Sequence, residues 1–413
     1  MKQKTLIGLG IAAAVVVVGA MIAVQRQQSS HLPELQSGLL FDGLMDKAAT
    51  VAAIKLESGA DKLTLTGSDD RWAVAEKGGY PARFELVKTT IVAMASIETI
   101  TAKTADPARF ADLGLADPDA EQGAGTRITL VDAAGAELAA MVLGEPATGG
   151  GNKRYVRRIG DDQTWLAETD LNVVMNPLAW ISTDLLDIQP DRVQRISITT
   201  PEGGTALIEK PDRKAEDYAL KDMPEGHELR AVSSLDMVVA GLSGLRAEDV
   251  APRDQVMTAE APRTVARFET YEGLVVTAES ITKDDKTWAS FSAAFDPALV
   301  VPEAPIVQVP GETTAKDETG EDQDADAEEP FDAAKTATEL NQKLAGWAYQ
   351  IPQFKANQLT AGLDDLTKPI KTEDDKEPSS EGEPNAAPDP AAAIEPQAES
   401  APVEQGDQPE TQR

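Results

Sequence analysis

The sequence predicts an α+β protein with three parts: one N-terminal transmembrane helix, two repeated units of antiparallel strands with helices packed on one face, and disordered acidic segments. Three observations carry that prediction. Leu6 to Val24 runs nineteen residues without a charge. A strand, strand, aromatic strand, helix pattern occurs twice between residues 50 and 302. Two later stretches are acidic and nearly free of large apolar side chains.

The apolar run comes first. At 1.5 Å per residue, nineteen helical residues span roughly 28 Å, close to the hydrocarbon thickness of a bilayer. Residues 1–5 carry Lys2 and Lys4 ahead of it, and Arg26 lies just after it. The positive-inside rule then leaves residues 1–5 in the cytoplasm and the bulk of the chain outside, which in a bacterium means a single-pass inner-membrane protein with a periplasmic body. Val18-Gly19-Ala20 would also serve as a signal-peptide cleavage site, so removal of the segment is the alternative. Residues 25–49 form a juxtamembrane tether.

The body comes next. The first copy of the repeat, residues 50–190, opens with Val51-Ala-Ala-Ile-Lys-Leu, Lys62-Leu-Thr-Leu and Arg71-Trp-Ala-Val. The second, residues 191–302, opens with Val193-Gln-Arg-Ile-Ser-Ile, Thr205-Ala-Leu-Ile and Asp217-Tyr-Ala-Leu. Trp72 and Tyr218 hold equivalent places. Apolar residues at helical spacing come after them in each copy: Val87, Ile91, Met94 and Ile97, then Val232, Leu235, Val238, Leu242 and Leu245. Each copy then has more strands, including Arg127-Ile-Thr-Leu-Val and Val265-Ala-Arg-Phe-Glu-Thr, with Gly and Asp at the turns. Short alternating strands joined by tight turns pair antiparallel.

The acidic stretches account for much of the net charge of −32. Residues 303–330 hold ten Asp and Glu against one Lys, and residues 371–413 hold twelve against three Lys and Arg. Such composition buries too little apolar surface to offset ordering entropy, which predicts disorder. Residues 331–370, between them, regain Leu340, Leu344, Trp347, Tyr349 and Ile351, and complete the second unit. The acidity excludes nucleic acid as a partner, because phosphate backbones require basic surfaces.

The chain has no cysteine and two histidines, which removes thiolate chemistry and disulfides. His227-Glu228 does not extend to a zinc-binding HExxH, since residue 231 is Ala. His227 reads as a solvated residue at a helix start. Ser280-Ile-Thr-Lys283 has serine–lysine nucleophile spacing but sits at a strand end without companion motifs. Asp322, Asp324 and Asp326 resemble the start of a calcium loop that lacks its glycine and its twelfth-position Glu. Gly149-Gly150-Gly151 reads as a hairpin loop. Trp72, Trp165, Trp180, Trp288 and Trp347 read as core. No catalytic residue, cofactor or metal site is assigned, and the chain is read as non-enzymatic.

Lys153, Arg154, Arg157 and Arg158 form the one dense basic cluster and are the candidate partner-binding residues, suited to an acidic partner or an anionic glycan. On a strand, Arg154 and Arg158 share one face and Arg157 the other. The competing reading is a solvated strand edge guarded against aggregation.

Arg71-Trp-Ala-Val, the helix from Phe84, Phe110-Ala-Asp-Leu-Gly-Leu-Ala-Asp-Pro118, Val142-Leu-Gly144, Tyr155-Val-Arg-Arg and Trp165-Leu-Ala together resemble a bacterial domain-of-unknown-function family associated with gliding-motility-type ABC transporter auxiliary proteins. Leu113 to Pro118 is the most specific piece, and the resemblance covers roughly residues 50–300. It implies an envelope accessory protein whose partners are envelope membrane proteins, among them ABC permease and auxiliary subunits. A periplasmic polysaccharide- or peptidoglycan-binding module is the alternative.

Overall fold

The computed structural model describes residues 38–149, 151–302 and 331–370. The apolar run at 6–24, the tether up to residue 37 and both acidic stretches lie outside the described residues. So does the Asp322–Asp326 motif. Among the described residues no helix is long and apolar enough to cross a membrane. One unit extends through Lys368, and a second begins at Pro369, of which two residues are described.

The molecule is mostly β-sheet with some helices. The first sheet contains β1 (Val51–Ser58), β2 (Asp61–Ser68), β3 (Arg71–Val74), β4 (Tyr80–Pro81), β5 (Glu98–Ala102), β6 (Thr126–Asp132), β7 (Glu137–Pro146), β8 (Lys153–Arg158) and β9 (Thr164–Glu168). Helix α1 (Phe84–Ala95) lies between β4 and β5 in the chain. Strand order is β4-β3-β2-β1-β6-β7-β8-β9-β5. The alternation of Ile54 and Leu56, Leu63 and Leu65, and Ile128 and Leu130 puts all six on one face, fully buried. Each such side chain contributes about 1.5–3 kcal/mol when withdrawn from water. Val87, Ile91 and Met94 of α1 pack on that face, and Ile97 is buried just beyond the helix end.

A short pair, β10 (Asp184–Leu186) with β15 (Leu245–Arg246), ties the linker between the halves to the second half. The second sheet holds β11 (Val193–Thr199), β12 (Thr205–Glu209), β13 (Ala219–Lys221), β16 (Asp249–Pro252), β17 (Thr264–Thr270), β18 (Leu274–Lys283), β19 (Lys286–Phe295) and β20 (Trp347–Gln350). Its order is β13-β12-β11-β17-β18-β19-β20-β16. This matches β3-β2-β1-β6-β7-β8-β9-β5 position for position. Even the irregularity is shared: the register of β1 on β6 shifts between Val51 and Ala53, and that of β11 on β17 between Val193 and Arg195.

Residues 331–370 supply β20, α3 (Ala333–Leu344) and α4 (Gln353–Thr360), and α2 (Ser233–Val239) precedes β15. Beyond Ala289, β19 has outrun its partner β20. There the Asn341 amide of α3 accepts from Ala293 N at 2.9 Å and donates to Ala293 O at 2.7 Å, so a side chain continues the hydrogen bonding of the sheet edge.

The halves share one hydrophobic core. At their junction Lys77 Nζ lies 2.5 Å from Asp249 Oδ1. Tyr80 meets the ring of Trp347 edge-on, with centroids 4.8 Å apart, and that of Tyr349 at 6.1 Å.

Three expectations need correction. The spacing from Val232 to Leu245 is not one helix: α2 gives way to a 3-10 turn at Ala240–Leu242, and Leu245 belongs to β15. Val232, the residue ahead of α2, is 57% exposed. Gly244 takes a positive φ of 54°, a conformation that ends helices cheaply. His227 begins strand β14 (His227–Leu229) rather than a helix. And β8, which carries the basic cluster, lies inside the first sheet between β7 and β9, so it is no strand edge.

Candidate functional site

Antiparallel pairing brings directly opposed residues to the same face of a sheet. On the first sheet this rule draws a single row across six strands. Lys62 opposes Glu57, Glu57 opposes Arg127, Arg127 opposes Val142, Val142 opposes Arg157, and Arg157 opposes Thr164. The row lies on the face away from the main core. It presents three cations and one carboxylate, with Val142 fully buried in the middle.

The connector between β5 and β6 folds over the row. Phe110, Leu115 and Val142 form a separate small cluster, with Leu113, Tyr155 and Ile159 packed against it. Gly114 makes the turn at φ 64°. The connector approaches β7 so closely that a Cβ on Gly144 would lie 2.5 Å from Leu113 O and 3.0 Å from Gly114 O. This is the physical reason for glycine at both places. Gly59 N donates to Pro118 O at 2.9 Å, which fastens the far end of the connector to the β1–β2 turn. Leu113 to Pro118, Val142 to Gly144 and Tyr155 to Arg158, separate in sequence, thus make one structure.

Arg157 is the pin. Its residue exposure is 7%. Its Nε donates to Leu115 O at 3.3 Å and a terminal nitrogen to Asp117 Oδ1 at 2.8 Å, while the guanidinium covers the Phe110 ring at 4.6 Å. Arg154 points to the other face and donates twice to Gly144 O, at 3.2 and 2.7 Å. Burial lowers its pKa below the usual guanidinium value. Arg158, exposed on the same face as Arg154, lies over the Phe41 ring at 5.5 Å. Lys153 is exposed at the start of β8, opposite Glu168 of β9. The four residues therefore do not form one patch: Arg154 and Arg157 bind the chain's own carbonyls.

Between roof and sheet is a cleft of about 500 Å³, lined by Glu57, Lys62, Asp117, Asp119, Arg127 and Arg157 among others. The Nε of Arg127 is buried and has no hydrogen-bond partner among the described residues. Its terminal nitrogen comes no nearer than 4.0 Å to Glu137. The Asp117 side chain is 68% exposed even as it holds Arg157. Reading the sequence for clusters of adjacent charge missed Lys62, Glu57, Arg127 and Asp117, because their proximity comes from cross-strand register. The available signal was the alternation in Arg127-Ile-Thr-Leu-Val, which turns Arg127 away from the core.

Other sequence candidates do not assemble into sites. Ser280 and Lys283 are three apart on β18 and so face opposite sides. The Ser280 Oγ is buried without a partner among the described residues, and Lys283 Nζ reaches Gln255 O at 3.5 Å. Gly149 and Gly151 lie in the β7–β8 hairpin loop. Trp72 and Trp180 are buried, and Trp165, Trp288 and Trp347 are half-buried. Among the described residues no group of three or more His, Asp and Glu stands close enough to hold a metal ion.

The chain is thus a β-rich protein with a clamped, roofed cleft on its first sheet. Residues 72–266 match the model of a family described as a domain of unknown function, DUF4340. The match starts in β3 and ends in β17, so it contains the whole roofed connector. No curated protein and no solved structure matches the chain.

Proposed function

We propose that this chain is a non-enzymatic accessory protein of the bacterial envelope, anchored in the inner membrane through residues 6–24 with its body in the periplasm, where it binds protein partners. The partners we assign are envelope membrane proteins, namely permease and auxiliary subunits of an ABC-type transport system. The observation that carries the reading is the cleft between Arg127 and Arg157. It has cations held in place by the sheet, an unsatisfied buried donor and room for a ligand group. The uncharged run of residues 6–24 and the resemblance of the Leu113–Pro118 segment support the membrane and transporter parts of the proposal.

The test is a crosslinked pull-down of the full-length chain from bacterial membranes in mild detergent, read by mass spectrometry. Enrichment of permease and auxiliary subunits is the expected result. Recovery of the chain alone rejects it.

The same cations favour one second reading, a module for carboxylated polysaccharide or peptidoglycan. Sedimentation with isolated cell-wall material, lost in Arg127→Gln, would select it.

A further inference from the structure

The row of charges on the first sheet is uneven in a way that bears on what it binds. Lys62 is paired with Glu57 at 3.4 Å. Arg157 is paired with Asp117. Arg127 lies between them, flanked by Glu57 and Val142, with a buried Nε that has no acceptor among the described residues and a terminal nitrogen in only a long pairing, 4.0 Å, with Glu137. That Nε is itself out of reach from outside, but the Arg127 side chain is 35% exposed, so an acceptor entering the cleft meets the terminal nitrogens of the fork. Asp117 already demonstrates what such an acceptor is. A carboxylate fits the planar fork of a guanidinium and places two oxygens against its nitrogens.

We infer that the cleft is a carboxylate-binding site for an acidic, extended segment of a partner protein, with Arg127 as the open station and Asp117 as the resident that the segment displaces from Arg157. The inference rests on the reading of the cleft as a contact surface. Spacing supports an extended segment. Arg127 and Arg157 are two strands apart, roughly 10 Å between backbones. Alternate residues of an extended chain project to one side at roughly 7 Å intervals, a gap that flexible acidic and arginine side chains span. Asp117 is suited to exchange. Its backbone neighbours are fixed, through Gly125 N to Ala116 O and Gly59 N to Pro118 O, while its carboxylate is largely in water. An ion pair with one exposed member is weak and easily replaced. Arg157 remains neutralised throughout, since one carboxylate leaves as another arrives.

The second sheet has an arginine arrangement of another kind. Beside that sheet Arg253, just after β16, and Arg263, just before β17, both bind Glu279 of β18 at 2.8 Å, so the carboxylate there is already shared by two cations.

The experiment uses the full-length chain in mild detergent and a fluorescent, N-acetylated Glu-Ala-Glu-Ala-Glu peptide. Fluorescence anisotropy gives its affinity for the parent chain, Arg127→Gln and Asp117→Asn, with thermal melting to establish that each variant is folded. Arg127→Gln should weaken binding about tenfold, the loss expected for a hydrogen bond to a charged group. Asp117→Asn should strengthen it about threefold, by removing the resident competitor. A merely structural role for Asp117 predicts no gain. Equal affinity in all three chains overturns the inference, as does weaker binding in Asp117→Asn. Displacement of the peptide by equimolar inorganic phosphate overturns the carboxylate assignment, and preferential binding to isolated peptidoglycan overturns the protein partner. If the transporter subunits still co-purify with Arg127→Gln, the carboxylate site fails and the accessory reading stands. If the peptide binds as expected but no subunit co-purifies, the reverse holds.

Discussion

The rings of Tyr80 and Trp347 meet edge to face at an interplanar angle of 75°, and they come from opposite halves of the chain. Tyr80 lies on the edge strand of the first sheet, and Trp347 on a strand contributed by the segment after the acidic insertion. Burial raises the hydroxyl pKa of both Tyr80 and Tyr349. Tyr80→Ala should therefore cost about 3–5 kcal/mol, the usual loss for a large buried aromatic. Tyr80→Phe, which keeps the buried ring and its edge-on contact with Trp347, should cost much less. Urea unfolding of both variants checks the order; equal losses would mean that the packed ring contributes nothing beyond its hydroxyl.

Arg157 clamps the connector, so its removal should be felt locally. Arg157→Ala is expected to cost about 2–3 kcal/mol through lost bonds to a charged group. Arg157→Lys should recover only part of that, because an ammonium cannot reproduce the fork shared between Leu115 O and Asp117. Hydrogen exchange would report the effect at the amides of Leu115, Ala116 and Gly125. Unchanged exchange there would show that apolar packing alone holds the roof.

Gly144 tests the same contact from the sheet. In Gly144→Ala the new methyl meets backbone oxygens, which cannot rotate away. A loss of about 1–3 kcal/mol is expected for such overpacking. A thermal melt that matches the parent would mean that the connector can lift without penalty.

Lys355 gives a pH dependence. It is 7% exposed, and its ammonium donates to Ala240 O at 2.7 Å and Ser243 O at 2.6 Å. Burial lowers its pKa from 10.5, with Asp187 opposing the shift in part. The folded chain therefore releases this proton at a lower pH than the unfolded chain. Between the folded pKa and 10.5 the unfolded state holds more protons, so this group's contribution to stability rises with pH across that window and is constant below it. Urea midpoints of the parent and Lys355→Met between pH 7 and 10 should diverge in that sense. A constant offset would exclude the shift.

How much of this was legible beforehand varies by element. The alternation Ile54, Leu56 and Leu63, Leu65 announced strands with one buried face, and Val87, Ile91 and Met94 announced α1. Those patterns are local, set by periods of 2 and 3.6 residues. The α2 region misled because an apolar spacing continued across a turn and into a strand. The candidate site was legible only in part. Four neighbouring cations marked β8, and alternation put Arg157 opposite Arg154 and Arg158. What decides their roles is register: Arg127, fifteen residues before Val142, meets Arg157 through Val142, and no local pattern records that meeting. Burial of Arg157 beneath Phe110 was likewise out of reach, because the covering segment lies some forty residues upstream in the chain.

A last consequence concerns the far end of β19. Past Ala289 that strand would present bare amides and carbonyls, the kind of template on which another copy of a chain can stack. One primary amide, that of Asn341, satisfies both groups of Ala293 from a helix that cannot itself recruit a further strand. The amide and carbonyl of Ala293 are thus closed to a further strand by a single planar side chain at the end of the ladder. An Asn341→Leu chain should keep its fold yet scatter light on concentration, like fibres seeded from an uncapped tip.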